Sequence, residues 1–270
     1  MRGPGRVVVL DTDVMGLSGL TRDEHGALWA PGEVGDAVLR IDSESFAVTR
    51  YPVVGLPDGN DLEAMAWVDG TRFVLGTETM ENGRLQDIIL DGRLDGQTFK
   101  VTPVGQIDYA RWQLTAPENR GIEGMCNVEG VLVLATELIE EARGGRWAPV
   151  GVFDPRTQTW TAHRIQTTSS TGKLSAMDCR MVDGTIEALV VERHYGVSCL
   201  LRFKLPAGPV GQWIQPTVAA DLSELVDPLP NFEGLAWMQD GSVMLLTDNR
   251  HRTIVNEASR LYFIPASEIR

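Results

Sequence analysis

The stretch Phe232-Glu-Gly-Leu-Ala-Trp-Met-Gln-Asp-Gly-Ser-Val-Met-Leu-Leu-Thr-Asp248 decides the fold, because four other stretches of the chain repeat its plan. It opens with an apolar residue, an acid, a small residue and a second apolar residue. A turn ending at Gly241 follows, and then an apolar run that finishes on Asp248. The opening pattern, apolar–(Ser/Glu)–(Gly/Ala)–(Leu/Met), recurs at Leu17–Leu20, Leu62–Met65, Ile122–Met125 and Leu174–Met177. The corresponding turns end at Gly26, Gly70, Gly130 and Gly184, and the runs beyond them close on Glu33, Glu78, Glu137 and Glu192. From the second pattern position to the closing acid the chain counts 15 residues (Ser18 to Glu33), 15 (Glu63 to Glu78), 14 (Glu123 to Glu137), 17 (Ser175 to Glu192) and 15 (Glu233 to Asp248). Self-similarity of this kind marks a repeat architecture.

Each copy reads as β structure. Arg72–Thr77, Val131–Thr136 and Val243–Thr247 are short, apolar and rich in β-formers, with glycine turns at their ends. Further strands are expected at Ala37–Ile41, Ile88–Leu90, Val150–Phe153, Cys199–Phe203 and Arg260–Ile264, with outer ones such as Trp160–Ile165. Four short antiparallel strands per copy, repeated radially, make an all-β propeller. The spacing predicts one domain over residues 1–270 with five blades, a six-bladed ring being the alternative. The fifth copy runs out of chain after three strands, while Arg6–Leu10 is spare in front of the first. Placing Arg6–Leu10 as the outer strand of the last blade closes the ring and removes an open edge.

Composition narrows the partners. The net charge of −13 opposes binding to nucleic acid, whose phosphates it would repel. No apolar run reaches the roughly 18–20 residues that span a bilayer, and the first residues lack the apolar core of a secretory leader. The expectation is therefore a cytoplasmic protein, with neither membrane nor nucleic acid among its partners. Cys126, Cys179 and Cys199 are three in number and lack CxxC spacing, so they are expected as buried reduced thiols.

In a propeller the first strand of each blade lines the channel and the second returns beside it. The start of the first and the end of the second then meet at one face. Ser18, Glu63, Glu123, Ser175 and Glu233 are thereby expected beside Glu33, Glu78, Glu137, Glu192 and Asp248, with Asp61 and Asp178 close by. Carboxylates this dense repel one another unless a cation, arginines or protons intervene. Hard oxygen ligands favour calcium, with magnesium or manganese as alternatives. Glu63, Glu123, Glu233, Glu78, Glu137 and Asp248 are the candidate metal ligands. The same face is expected to receive Arg120, Arg193, Arg250, Asn249 and Tyr195 as binders of a small anionic molecule, and His194, His251 and Glu192 as proton carriers. Tyr109, Arg111 and Trp112 stand in a long connection that reads as a binding loop or as surface packing. The glycines after Glu123 and Glu233 are expected to meet a packing limit near the axis. Gly-Leu-Ser18-Gly lacks the G-x-S-x-G elbow of a serine nucleophile and belongs to the repeat instead.

These motifs resemble the phytase-like, or "esterase-like activity of phytase", family of β-propellers. The matching residues are Asn231-Phe-Glu-Gly-Leu-Ala-Trp237 with Leu245-Leu-Thr-Asp-Asn249, Asn119-Arg-Gly-Ile-Glu-Gly-Met125 with Ala135-Thr-Glu137, Val190-Val-Glu-Arg193, and the opening Gly16-Leu-Ser-Gly-Leu20. The resemblance implies a propeller, a calcium-binding channel mouth and hydrolysis of phosphate or carboxylic esters. A more distant likeness to gluconolactonase and strictosidine-synthase-like propellers points to the same face. The resulting expectation is a metal-assisted hydrolase of a small anionic ester or lactone. Its rivals are a non-catalytic propeller binding a small molecule or protein, and a lyase or isomerase at the same site.

Overall fold

The computed structural model describes residues 5–34, 36–142, 145–194, 196–206, 211–248 and 258–270. Among the described residues the fold is all-β, its only helices being the short 3-10 turns Tyr109–Trp112, Leu222–Glu224 and Ala266–Glu268. Among the described residues no helix is long and apolar enough to cross a membrane.

The strands follow the repeat. The second copy is the plainest, an antiparallel run of Asn60–Asp69, Arg72–Thr79, Gln86–Asp95 and Thr98–Asp108. The first copy runs through Met15–Leu17, Leu28–Val34, Ala37–Ile41 and Val48–Val54, and joins the second where Val53 and Val54 pair in parallel with Phe99 and Lys100. Ile122–Val128, Val131–Thr136, Gly145–Asp154 and Thr159–Gln166 form the third. Lys173–Val182, Thr185–His194, Val197–Leu205 and Thr217–Asp221 form the fourth. In the last copy Phe232–Trp237, Val243–Thr247 and Arg260–Ile264 are completed by Arg6–Val9, which pairs antiparallel with Arg260–Ile264.

Burial explains why the inner strands read as unbroken apolar runs. A strand with a neighbouring unit packed on each face has no side to give to water. Val243–Thr247 is buried at every position, whereas the outer strand Val48–Val54 is buried nowhere along its length. The apolar core is accordingly divided into clusters that lie between units. Trp29 and Val38 of the first copy pack with Leu62, Phe73 and Leu75 of the second. Ala64 and Val74 meet Ile122 and Leu134. Val133 and Val150 meet Leu174 and Val190. Leu189 and Leu200 meet Phe232 and Leu235, and Leu28 and Leu39 of the first copy meet Leu246 and Leu261 of the last. Each fully buried side chain of this size contributes about 1.5–3 kcal/mol over its exposed state.

The cysteines correct the expectation of reduced thiols. Cys126 and Cys179 form a disulfide that ties the inner strands of the third and fourth copies together, and Cys199 alone is a free thiol. Tyr109 and Trp112 also differ from expectation, for both are buried and neither is at the surface. The Trp112 indole donates to the His163 carbonyl (2.8 Å), and the Tyr109 hydroxyl donates to the Asp87 carboxylate. Of Tyr109, Arg111 and Trp112, Arg111 alone is exposed, with its guanidinium over the Trp160 ring.

Candidate functional site

The recurring Ser/Glu position has a structural meaning that its chemistry alone does not reveal. In four copies the pairing of first and second strands slips at that residue, between Leu62 and Ala64, Ile122 and Gly124, Leu174 and Ala176, and Phe232 and Gly234. Glu63, Glu123, Ser175 and Glu233 are thus the extra residues of β-bulges, which bend a strand and re-aim a side chain. The small residue that follows is dictated by the neighbouring inner strand. A Cβ at Gly124 would stand 2.8 Å from the Met177 backbone nitrogen, and one at Gly234 would stand 2.8 Å from the Gly19 carbonyl oxygen. This is the close approach expected near the axis.

The two serines stitch units together. Ser18 Oγ donates to the Glu63 carbonyl (2.7 Å) and Ser175 Oγ donates to the Phe232 carbonyl (2.8 Å), each one fully buried. The three glutamates at the equivalent position carry the charge.

Glu63, Glu78 and Glu123 converge: one carboxylate oxygen from each lies within 4.8 Å of the other two, and all three residues are buried. Among the described residues, none of the three has a lysine or arginine at ion-pair distance. Burial holds Glu63 well above the usual carboxylate range, and the charges of Glu33 and Glu123 push it further. Glu123 is raised in the same way, by burial first and by Glu78 and Glu137 next. Glu78 is pushed up to about 7 by burial, which outweighs its hydrogen bond with Glu63. Its Oε2 atom is buried with no hydrogen-bond partner among the described residues.

The carboxylates across the mouth are neutralised. Glu233 is ion-paired with Arg193, whose Nε lies 3.2 Å from Oε2, and it accepts a further bond from Asn231 Nδ2 (2.8 Å). Glu137 faces Lys173 Nζ at 3.2 Å, with Arg193 and Arg120 each at 3.9 Å. Burial acts against the Arg193 charge, but Glu233 and Glu137 more than restore it and raise its pKa. Burial is also the main cause lifting Glu233 to about 7, with Arg193 pulling the other way. Asp248 accepts from Asn231 Nδ2 at 3.3 Å.

The remaining expectations divide. His194 ends the strand Thr185–His194 at this mouth, where burial and then the charges of Lys173 and Arg193 hold its pKa down. Glu192 is fully buried, and its two oxygens accept from the amides and hydroxyls of Thr168 and Ser169 at 2.6–3.1 Å. It clamps a loop, and that occupation leaves it poorly placed to carry protons. Asp178 corrects its placement. It lies toward the other end of the inner strands, accepts from the Trp237 and Cys179 amides, and shares a cavity of about 290 Å³ with Thr21, Trp67, Asn127 and Trp237. Burial lifts it to about 6. Tyr195, Asn249, Arg250 and His251 lie outside the described residues. Lys173 was not singled out from sequence. It occupies the position just before the repeat pattern, where Asp61 and Asn231 also stand, and that recurrence of polar residues was the available signal.

The model of the phytase-like family, described as "esterase-like activity of phytase", matches residues 12–251. No curated protein matches the sequence significantly. Among solved structures, an aldose sugar dehydrogenase from Streptomyces coelicolor in its PQQ-bound form is similar, with a TM-score of 0.52, 14% identity, and 99% of this chain and 100% of that chain covered. A luciferin-regenerating enzyme gives a TM-score of 0.53 at 12% identity, covering 99% and 97%. A putative glucose dehydrogenase from Thermus thermophilus gives 0.53 at 11% identity, covering 96% and 99%. At these identities the likeness concerns the fold, which is propeller-like in each.

Proposed function

This chain belongs to the phytase-like family, and we propose that it is a hydrolase whose channel mouth holds a divalent cation on Glu63, Glu78 and Glu123. The observation that carries the proposal is the convergence of three buried carboxylates that lack a cationic partner among the described residues, one of them with an orphaned oxygen. The fit is metric as well as electrostatic. Calcium takes oxygen ligands at about 2.3–2.6 Å, so oxygens on opposite sides of the ion stand about 4.6–5.2 Å apart. The trio's oxygens, all within 4.8 Å of one another, lie inside that limit and so within reach of one ion. A divalent cation bound there would polarise an ester oxygen or lower the pKa of a bound water.

The chain's own residues supply the rest. Arg120 and Lys173, beside Glu137, give the mouth its positive edge and would attract a phosphate or carboxylate. His194, held neutral near pH 7 by its surroundings, would accept a proton from water or return one to a leaving group. Arg193, expected as a substrate clamp, is instead engaged by Glu233 and Glu137 and holds them in place. Asp248 and Glu233 then border the site without ligating the ion.

The frame around the site is proposed to be a closed ring of five blades. The pairing of Arg6–Val9 with the last copy, the Gly19 amide donating to the Glu233 carbonyl (2.8 Å), and the apolar cluster between last and first copies support it. The Cys126–Cys179 bridge suits an oxidising compartment, so the cytoplasmic placement expected from sequence is not carried forward.

The test is hydrolysis of p-nitrophenyl acetate, butyrate and phosphate by chelated protein, with calcium, magnesium and manganese added back singly. Hydrolysis of at least one ester that appears with one cation and is lost in Glu123→Gln is expected. Turnover equal in chelated protein and in the variant would contradict the metal-assisted reading. Absence of turnover with every ester would favour a binding module.

A further inference from the structure

A groove of about 830 Å³ opens beside the trio, formed by residues 58–60, 79–81 and 83–88. It begins at Thr79, the residue after Glu78, and Arg84 and Asp87 on its wall act electrostatically on Glu78. Its charge is the reverse of the opposite edge. Asp58 and Glu81 are acids on its lining, and Arg84 is its only base. That arginine is already saturated. Its Nε and one terminal nitrogen donate to Asp87 (2.6 and 2.9 Å), and its remaining N–H groups donate to the carbonyls of Glu81 (3.1 Å), Pro117 (2.5 Å) and Arg120 (2.8 Å). A guanidinium has five donors, and all five are used. Two large apolar side chains complete the lining and stand exposed, Met80 at 54% and Leu85 at 56%.

A surface with two acids besides the Arg84–Asp87 pair, no available cation and two exposed apolar side chains repels an anionic group and attracts an uncharged one. We propose that this groove seats the uncharged, apolar part of the substrate, while the anionic end lies across the trio against Arg120 and Lys173. This rests on the hydrolase reading above and narrows it to esters carrying one anionic group and an apolar remainder. Polyphosphates are excluded, because one of their charges would have to enter the groove.

The test uses a monoanion with an apolar tail that cannot turn over, 4-phenylbutyrate, beside acetate and inositol hexakisphosphate. The methyl resonance of 13C-labelled Met80, assigned by its loss in Met80→Leu, reports occupation of the groove. It is expected to shift saturably with 4-phenylbutyrate, to stay still with acetate and the hexakisphosphate, and to need at least tenfold more ligand in Leu85→Asp. Because Leu85 is exposed, that variant is expected to keep the wild-type melting temperature. A Met80 methyl unmoved by 4-phenylbutyrate, a comparable response to the hexakisphosphate, or unchanged binding in Leu85→Asp would each overturn the proposal. The readout needs no catalysis. An inert protein whose Met80 still responds refutes the hydrolase reading alone, and an active one whose Met80 does not respond refutes the groove alone.

Discussion

The two sides of the channel mouth begin from the same repeat, and only one of them is supplied with cations, although burial lifts Glu233 there to about 7 as it lifts Glu78. On one side Glu63, Glu78 and Glu123 press together and are driven toward protonation. On the other, Glu137 and Glu233 share Arg193, with Lys173 and Arg120 close to Glu137. The difference is made by residues outside the repeat, chiefly Arg193 and Lys173 of the fourth copy. A buried charge costs far less when an opposite charge meets it than when none does. One side is therefore a finished ion-pair network, and the other is stable at neutral pH only with protons or a cation.

Removing the cation from the finished side is expected to do the greatest damage. Arg193→Met leaves Glu233 and Glu137 buried beside one another, and loss of one partner of a buried pair costs about 3–5 kcal/mol. Urea unfolding is expected to show a loss of that order that added calcium does not recover. A loss under about 1 kcal/mol would mean that the network does not hold this side together.

The unfinished side is expected to respond to pH in the direction set by its raised pKa values. A carboxylate whose folded pKa lies above its unfolded value binds more protons when folded, so its stabilisation is present at low pH and fades as pH rises. For Glu78 that window runs from about 4.5 to about 7. Metal-free protein is accordingly expected to lose about 1–3 kcal/mol between pH 4.5 and 7.5, with calcium restoring more stability at pH 7.5 than at pH 5. A melting temperature that rises across this interval in chelated protein would show that the trio is not strained.

The smallest effect sharpens the comparison most. Glu78→Gln removes one negative charge from the strained side, so metal-free protein at pH 7.5 is expected to gain about 1 kcal/mol while losing its response to calcium. The same exchange at Glu233 is expected to destabilise, because it strips Arg193 of its partner. Equal signs for the two variants would erase the distinction between the sides.

Much of the frame was legible in the sequence, because a repeat fixes which residues meet whatever their chemistry. The spacing from Glu63 to Glu78 is a hairpin, and register places Asp61 opposite Glu78. The spare strand at Arg6–Leu10 told where the chain would return, and the structure pairs Arg6–Val9 with Arg260–Ile264. The allocation of charge was not legible. Six acids looked equivalent as ligands, and only the bulges and the neighbouring strands decide that Arg193 reaches Glu233 and Glu137. The disulfide was hidden for a similar reason. Cys126 and Cys179 are 53 residues apart and meet only because adjacent inner strands run side by side. Tyr109 and Trp112 misled because a long connection without strands looks exposed, while the buried Asp87–Arg84 pair draws the Tyr109 hydroxyl inward.

The central claim is that the trio is a cation site and its neighbours across the mouth are not. Isothermal titration of chelated protein with calcium, run beside Glu63→Gln, Glu123→Gln and Glu137→Gln, tests it most directly. The account predicts one ion bound per chain, binding lost in the first two variants and kept in the third. No binding by the wild type, or binding that survives in Glu63→Gln and Glu123→Gln, would contradict it.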